Sequence, residues 1–341
     1  MQAYEFPWRK NYNGYTVWIA EIMLQQSQVN VVIPYYNKWM KKFPTIKHLS
    51  KTNIDELLLL WQGLGYYNRV KNIFQAVKFI NHNYNGEIPQ NYNSLLTLKG
   101  VGDYTASAIL TIGFNIKAVP VDGNIHRVIS RLHELTVKKN QLNMIKQYTT
   151  QYISDKNPRD SVQGLMDLGR EICRPQNPNC SLCPLNIKCL SYQNNTIHLY
   201  PVKVDRKQIP QYDVVVGLIK KKKKFLISKR LKNKFLGGLW ELPGGKIIEG
   251  ETRKKAINRE IKEELNITIK SLHSIGAIKH QYSHFKVSIS LYDCKYKSGD
   301  PKALASDEIK WITSNEKNQF AFPSATHKLF QLITQEYENT L

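Results

Sequence analysis

The chain has 341 residues, which at ~150 residues per domain suggests two domains, and its 49 Lys and Arg against 27 Asp and Glu leave a formal charge of +22. So large an excess favours an anionic partner, nucleic acid first, with a membrane surface as the other basic-protein reading. The longest unbroken apolar run, Leu57–Trp61, is far short of the ~20 residues of a membrane span, and the N-terminus shows no basic stretch leading into an apolar one. Hydrophobic residues at 42% and aromatics at 11% exclude a disordered chain. Membrane, secreted and fibrous classes drop out.

Taken in order, the pattern is helical from Gly14 to about Tyr192. Apolar residues recur at three and four positions in Val17–Val29, Ile54–Trp61, Val70–Ile80, Tyr104–Ile112 and Ile125–Leu135, punctuated by Gly, Pro and Asn. From Tyr212 the pattern alternates, with a hairpin predicted for Val214–Ile219 and Phe225–Lys229 and a further strand for Val287–Tyr292. The lysine run Lys220–Lys224 reads as the solvated hairpin tip. A polar, proline-containing connector joins the halves, giving expected domains at 1–192 and 211–341 with the connector at 193–210. No internal repeat of 20–50 residues is visible.

Four motifs in the first half bear on chemistry. Leu98-Lys-Gly-Val-Gly-Asp-Tyr-Thr105 opens a helix, and Gly100 and Gly102 can take positive φ and let the backbone approach a phosphate. Alone, Gly-x-Gly also fits an ordinary helix-to-helix turn. Beside the other motifs it resembles the helix-hairpin-helix of base-excision DNA glycosylases. Cys173, Cys180, Cys183 and Cys189 crowd four of the five cysteines into seventeen residues, which in a chain with no visible export signal points to a metal centre rather than disulfides. Four thiolates hold zinc or a [4Fe–4S] cluster, and only one Cys-x2-Cys knuckle is present where structural zinc more often uses two. The fifth, Cys294, reads as a small buried hydrophobe.

The third motif is Glu21-Ile-Met-Leu-Gln-Gln-Ser-Gln-Val29. Apolar positions around Glu21 suggest a buried, polar-lined face, and a buried carboxyl with a raised pKa can protonate a leaving base at neutral pH; a solvated helix Glu is the alternative. The fourth is Val119-Pro-Val-Asp122-Gly-Asn124-Ile-His-Arg-Val128. Asp122 reads as a helix N-cap, which is compatible with a second oxygen facing a cleft.

These motifs, in this order, resemble the MutY family of adenine DNA glycosylases, and the cysteine spacing is that of the cluster loop in endonuclease III and MutY. The resemblance implies a multidomain chain: an all-α helix-hairpin-helix glycosylase domain with a [4Fe–4S] loop, then an α+β Nudix-like domain. It implies hydrolysis of the N-glycosidic bond of adenine mispaired with 8-oxoguanine or guanine in duplex DNA, leaving an abasic site. Glu21 is then the acid that protonates the adenine ring, Asp122 stabilises the oxocarbenium-like sugar, and Asn124 supports the pair. Two carboxylates flanking a glycosidic bond follow the logic of sugar hydrolases. Arg9 and Tyr104 match adenine-pocket positions, and Gln26 and Tyr66 match residues that wedge into the duplex while adenine is flipped out. Tyr104 stands where bifunctional relatives have a lysine, so a monofunctional enzyme is expected. A monomer in the cytoplasm, at the nucleoid and off the membrane, completes the expectation.

In the second half, Tyr282, Ser283 and His284 match the family's loop that reads 8-oxoguanine, whose N7–H and O8 differ from guanine's lone N7 acceptor. Gly245-x5-Glu251-x7-Arg259-Glu260-Ile-Lys-Glu263-Glu264-Leu-Asn266 resembles the Nudix box, with Asn266 where glycine is usual. Glu260, Glu263 and Glu264 fall at i, i+3 and i+4 and are expected to offer Mg²⁺ a weak site. Two alternatives remain at this level: a nucleotide-pool Nudix hydrolase of oxidised purine triphosphates, and a non-catalytic lesion-binding protein.

Overall fold

Asn13 starts the first long helix through a capping box, its side chain accepting from the Thr16 amide while Thr16 returns a bond to the Asn13 amide. The computed structural model describes residues 6–136, 141–202 and 208–337. In chain order the helices are α1 (Gly14–Leu24), α2 (Val29–Lys42), α3 (Ile46–Leu49), α4 (Ile54–Trp61), α5 (Asn68–Asn83), α6 (Tyr92–Leu96), α7 (Asp103–Ala108), α8 (Gly123–Leu132), α9 (Gln141–Thr150), α10 (Pro158–Glu171) and α11 (Leu190–Gln193). The strands are β1 (Gln211–Lys221), β2 (Lys224–Arg230), β3 (Trp240–Glu241), β4 (Gly244–Lys246), β5 (Ile267–Gln281), β6 (Lys286–Gly299) and β7 (Ser306–Ile312). Helix α12 (Arg253–Leu265) lies before β5, and α13 (Ser324–Tyr337) ends the described chain.

The chain divides into two compact units, residues 1–52 with 71–206 and residues 53–70 with 207–341. The short insertion that joins the second unit carries α4 and the Gly63–Tyr67 loop. Of the expected connector 193–210, residues 203–207 lie outside the described residues. No described helix is long and apolar enough to cross a membrane.

The first unit is helical around a core that includes Val17, Ala108, Ile125, Val128, Ile129 and Leu165. The apolar stretch Val17–Val29, predicted as one helix, is two. Helix α1 ends at Leu24, Gln26 turns the chain at φ +57, and α2 begins at Val29. Likewise α7 passes into a π-helical turn, Ile109–Gly113, whose five residues are all buried.

The second unit is one sheet in the order β3-β2-β1-β6-β5, with β4 also paired to β1 and β7 to β2. Strands β1 and β6 run parallel; the other pairs are antiparallel. Alternation along β1 sends Val215 and Ile219 to a core shared with Ile257, Ile261 and Leu265 of α12. Val216 and Leu218 point the other way, to a core shared with Leu329, Phe330 and Ile333 of α13. Cys294 is fully buried in the α12 core.

Candidate active site

Helix α1 is apolar nearly all round, so Glu21 is carried into the interior and keeps 8% of its exposure. Helix α8 begins at Asp122, whose Oδ1 accepts from the Ile125 amide at 2.7 Å, so this residue is an N-cap as its sequence suggests. Its other oxygen, Oδ2, accepts from Asn124 Nδ2 at 2.9 Å, which fixes the carboxylate plane. Helix α10 reaches this corner only because residue 169 is glycine: a Cβ there would lie 2.6 Å from Asn124 Cβ and 3.1 Å from its backbone. The result is a cavity of about 400 Å³ lined by Arg9, Glu21, Gln26, Tyr104, Asp122 and Asn124, together with Phe6, Trp8, Gln163, Met166 and Arg170.

Burial pushes the Glu21 carboxyl up to about 7, the nearby Asp122 charge pushes the same way, and a hydrogen bond from Tyr104 with the charge of Arg9 opposes them. Tyr104 Oη donates to Glu21 Oε2 at 2.6 Å, and burial beside two carboxyls holds that phenol well above its usual range, so it remains a donor. Asp122 is also raised by burial, with its backbone and Asn124 hydrogen bonds working against the shift. Near neutral pH the cavity therefore holds one carboxyl able to give a proton beside another anchored by a cap. Arg9 is gripped by Asp167 through two parallel 2.8 Å hydrogen bonds.

Gly100 turns the chain at φ +81, and a Cβ there would collide with the Asn72 side chain at 2.7 Å. Gly102 does not use that freedom: it is the extended N-cap of α7 at φ −97. One left-handed residue is enough to reverse the chain, and the second glycine leaves the α7 amides unshielded by a side chain.

Cys173, Cys180, Cys183 and Cys189 are free thiols of intermediate exposure, three of them packed against the helical core. Burial raises Cys180, Cys183 and Cys189, and the charge of Cys173 pushes each the same way. Buried Arg131 donates to Cys173 Sγ at 3.4 Å. Among the described residues, no group of three or more His, Cys, Asp or Glu side chains is arranged to hold a metal ion.

In the second unit, β5 and β6 form a hairpin whose four-residue loop is closed by the Tyr282 amide donating to Phe285 O at 2.9 Å. Ser283 and His284 stand exposed on it, linked by a 3.2 Å contact between Oγ and Nδ1. Tyr282 turns inward and packs edge-on against Phe235 and His280. Tyr66 lies on the loop after α4, 43% exposed, at φ +48.

The expected Mg²⁺ face finds no support. Arg259 spends its guanidinium on Glu251, Glu260 and Glu263 at 2.8–3.0 Å, while Glu264 turns away to accept from the Gly244 amide. Burial and the neighbouring Glu241 raise Glu264 to about 8, so the three carboxylates do not act as one anionic face. Asn266 ends α12 in the left-handed conformation, φ +54 and ψ +27, which asparagine tolerates in place of glycine.

Residues 19–151 match the model of the HhH-GPD superfamily of base excision DNA repair proteins, and residues 214–332 match the NUDIX domain. A thermostable thymine-DNA glycosylase of known structure shares the fold with a TM-score of 0.53 at 29% identity, covering 57% of this chain and 91% of its own. The adenine DNA glycosylase of Buchnera aphidicola subsp. Baizongia pistaciae is 35% identical over 83% of this chain and 80% of its own length. The chain belongs to the adenine DNA glycosylase family. A relative of the same name from Arabidopsis thaliana is 31% identical over 95% of this chain and 61% of its own length. As an adenine DNA glycosylase, the chain is a base-excision repair enzyme that acts on DNA, and the nucleotide-pool alternative is not favoured.

Sequence reasoning missed three parts of this glycosylase. Asp167 and Arg170 sit on α10 at i and i+3, with Arg170 lining the cavity and paired to Asp167 at 3.1 Å. An acid between Leu165 and Leu168 on a buried face was the available signal. Arg127 is buried on α8 and spans from Asn124 Oδ1 at 2.9 Å to the Cys173 carbonyl at 2.7 Å. An arginine among Ile125, Val128 and Ile129 marked it. Phe235, on the loop after β2, left no signal; its contacts to Tyr282 and His284 come from tertiary structure alone.

Proposed function

We propose that this glycosylase releases adenine from duplexes in which it is mispaired with 8-oxoguanine or guanine, with Glu21 as general acid and Asp122 as the anion facing the sugar. The carrying observation is Glu21 itself: a buried carboxyl, poised at about 7, lining a cavity of base size beside an N-capped aspartate. In this reading the protonated Glu21 gives its proton to a ring nitrogen of the extruded adenine. The C1′–N9 bond then breaks with both electrons leaving on the base, and positive charge develops on the sugar. Asp122, held by the Ile125 amide and Asn124, opposes that charge. The Glu21 carboxylate left behind accepts a proton from the water that adds at C1′, which resets the acid. Arg9 and Tyr104 line the base pocket, and Gln26 and Tyr66 hold the duplex open.

Gly100 and the α7 amides suit a backbone phosphate. Ser283 and His284, exposed on the β5–β6 hairpin, suit the lesion strand, with Tyr282 supporting them from within. The family resemblance assigns a [4Fe–4S] cluster to Cys173, Cys180, Cys183 and Cys189. These four cysteines would hold the cluster as thiolates, and Arg131, which donates to Cys173 Sγ, would offset its negative charge. A cluster bound there would hold the loop. The working division is 1–192 for catalysis, except that residues 53–70 pack in the second unit, 193–210 for the connector and 211–341 for lesion reading, in a monomer acting at the nucleoid.

The test is adenine release from duplexes carrying adenine opposite 8-oxoguanine, guanine or thymine, with product strands resolved before and after alkali. Release from the first two, with strand breakage only after alkali, supports the reading. Release opposite thymine at an equal rate, or breakage without alkali, contradicts it.

A further inference from the structure

The loop that presents Tyr66 is short, and the residues on either side of it reach the same point. Gln62, which ends α4, accepts from the Phe322 amide through Oε1 at 2.8 Å. Tyr67 donates through its buried hydroxyl to the Phe322 carbonyl at 3.2 Å. Phe322 is 1% exposed and its ring packs edge-on against Phe330 of α13 at 5.0 Å, within the core beneath the sheet. Both main-chain groups of one immobile residue thus clip the two ends of the loop.

Between the anchors the backbone is bent tightly. Tyr66 adopts φ +48, a conformation unfavourable for an aromatic residue unless its surroundings impose it. Arg69 lies beneath the loop, its guanidinium 5.3 Å from the Trp61 ring and 5.5 Å from the Tyr66 ring. The same guanidinium donates to the carbonyls of Leu64 and Gly65 at 3.0 and 3.2 Å. Tyr66 is nonetheless 43% exposed. An exposed ring on an over-determined backbone is suited to pushing against something. Unstacking a base step costs energy, and a wedge on a yielding loop would be pushed back instead of opening the step.

We infer that Gln62 and Tyr67, through Phe322, are positioning residues for Tyr66, so that the sheet-bearing unit sets the stiffness with which the duplex is opened as well as reading the lesion. This rests on the reading of Tyr66 as a wedge and adds to it the device that holds it. Gln62 Oε1 and the Tyr67 hydroxyl are both committed to Phe322. The clip acts only by fixing the loop, so its effect must pass through the Tyr66 ring.

That requirement gives the test, a double-mutant cycle in the full-length protein. Single-turnover adenine release is measured on an 8-oxoguanine:adenine duplex carrying 2-aminopurine next to the 8-oxoguanine, so that fluorescence reports unstacking. The proteins are wild type, Tyr66→Ala, Gln62→Leu with Tyr67→Phe, and the triple variant, each shown to unfold cooperatively. The clip variant is expected to lose about threefold to tenfold in rate, the scale of one or two hydrogen bonds, with a matching loss of fluorescence rise. The triple variant should then equal Tyr66→Ala. If Tyr66→Ala is impaired but the clip variant is not, or if the losses multiply in the triple variant, the clip is overturned and the wedge reading stands. If Tyr66→Ala is unimpaired, the wedge reading fails and the clip inference fails with it.

Discussion

The Tyr104 hydroxyl donates to Glu21 Oε2 at 2.6 Å, and this bond restrains the pKa of the carboxyl that burial raises. Burial alone would leave Glu21 a poor acid that holds its proton too firmly. The hydrogen bond favours the ionised form and brings the balance to about 7.

Tyr104→Phe removes that bond while keeping the ring. The Glu21 pKa should rise, so the alkaline limb of the rate–pH profile should move above its wild-type position near 7. The plateau rate should fall about tenfold, because a weaker acid transfers its proton less readily. The profile of single-turnover adenine release checks this. A limb that stays in place or moves down would show that Tyr104 does not tune Glu21.

The same shift makes Glu21 a pH-dependent burden on the fold. Its pKa is about 7 in the folded chain against 4.5 for a solvated glutamate, so between those values the folded state binds more protons and stability falls as pH rises. The penalty is absent below about 4.5 and complete above about 7, on the order of 3 kcal/mol. Glu21→Gln should therefore be more stable than wild type at pH 8 and show little advantage at pH 4.5. Denaturant unfolding at the two pH values measures it; an advantage independent of pH would contradict the shift.

Much of this site was legible in the sequence, and the reasons are local. Asp122 declares itself as a cap because Gly, Asn and an apolar run follow it, and Glu21 because its neighbours are apolar on every side. The Asn266 turn was readable because few other side chains tolerate positive φ. What was not legible depends on distant partners. Nothing near Gln62 announces Phe322, some 260 residues on, and nothing in the spacing of Glu260, Glu263 and Glu264 shows that Arg259 would pair with the first two while Glu264 accepts from the Gly244 amide. Nor does the spacing of Gly100 and Gly102 tell which of the two makes the turn.

Arg127 joins Asn124 to the carbonyls of Gly169 and Cys173, so it braces the Asp122–Asn124 corner against the cysteine loop. Arg127→Met should cost about 3 kcal/mol, by leaving buried carbonyls without a donor, and should slow adenine release. It contacts the Cys173 carbonyl and not a sulfur, so the variant should return the same metal analysis as wild type, for both of which the proposed cluster predicts about four iron atoms per chain and no stoichiometric zinc. Metal analysis and denaturant unfolding decide it. An iron-free Arg127→Met protein would mean that the loop's packing, not its sulfurs, retains the cluster.

Lesion preference should reside in the exposed tip of the β5–β6 hairpin. Ser283→Ala with His284→Ala removes hydrogen-bonding groups that 8-oxoguanine can use and guanine cannot, worth about 1–3 kcal/mol. The ratio of adenine release opposite 8-oxoguanine to that opposite guanine should fall by at least fivefold. Equal losses on both duplexes would show that the tip supplies only general affinity.

The most direct measurement compares wild type with Glu21→Gln on one 8-oxoguanine:adenine duplex, recording binding and single-turnover adenine release on the same preparations. The amide fills the same space but has no proton to give. Binding should stay within a few-fold of wild type, while adenine release should fall to background across the pH range. Release by Glu21→Gln at a substantial fraction of the wild-type rate would contradict the assignment of Glu21 as the acid and the mechanism built on it.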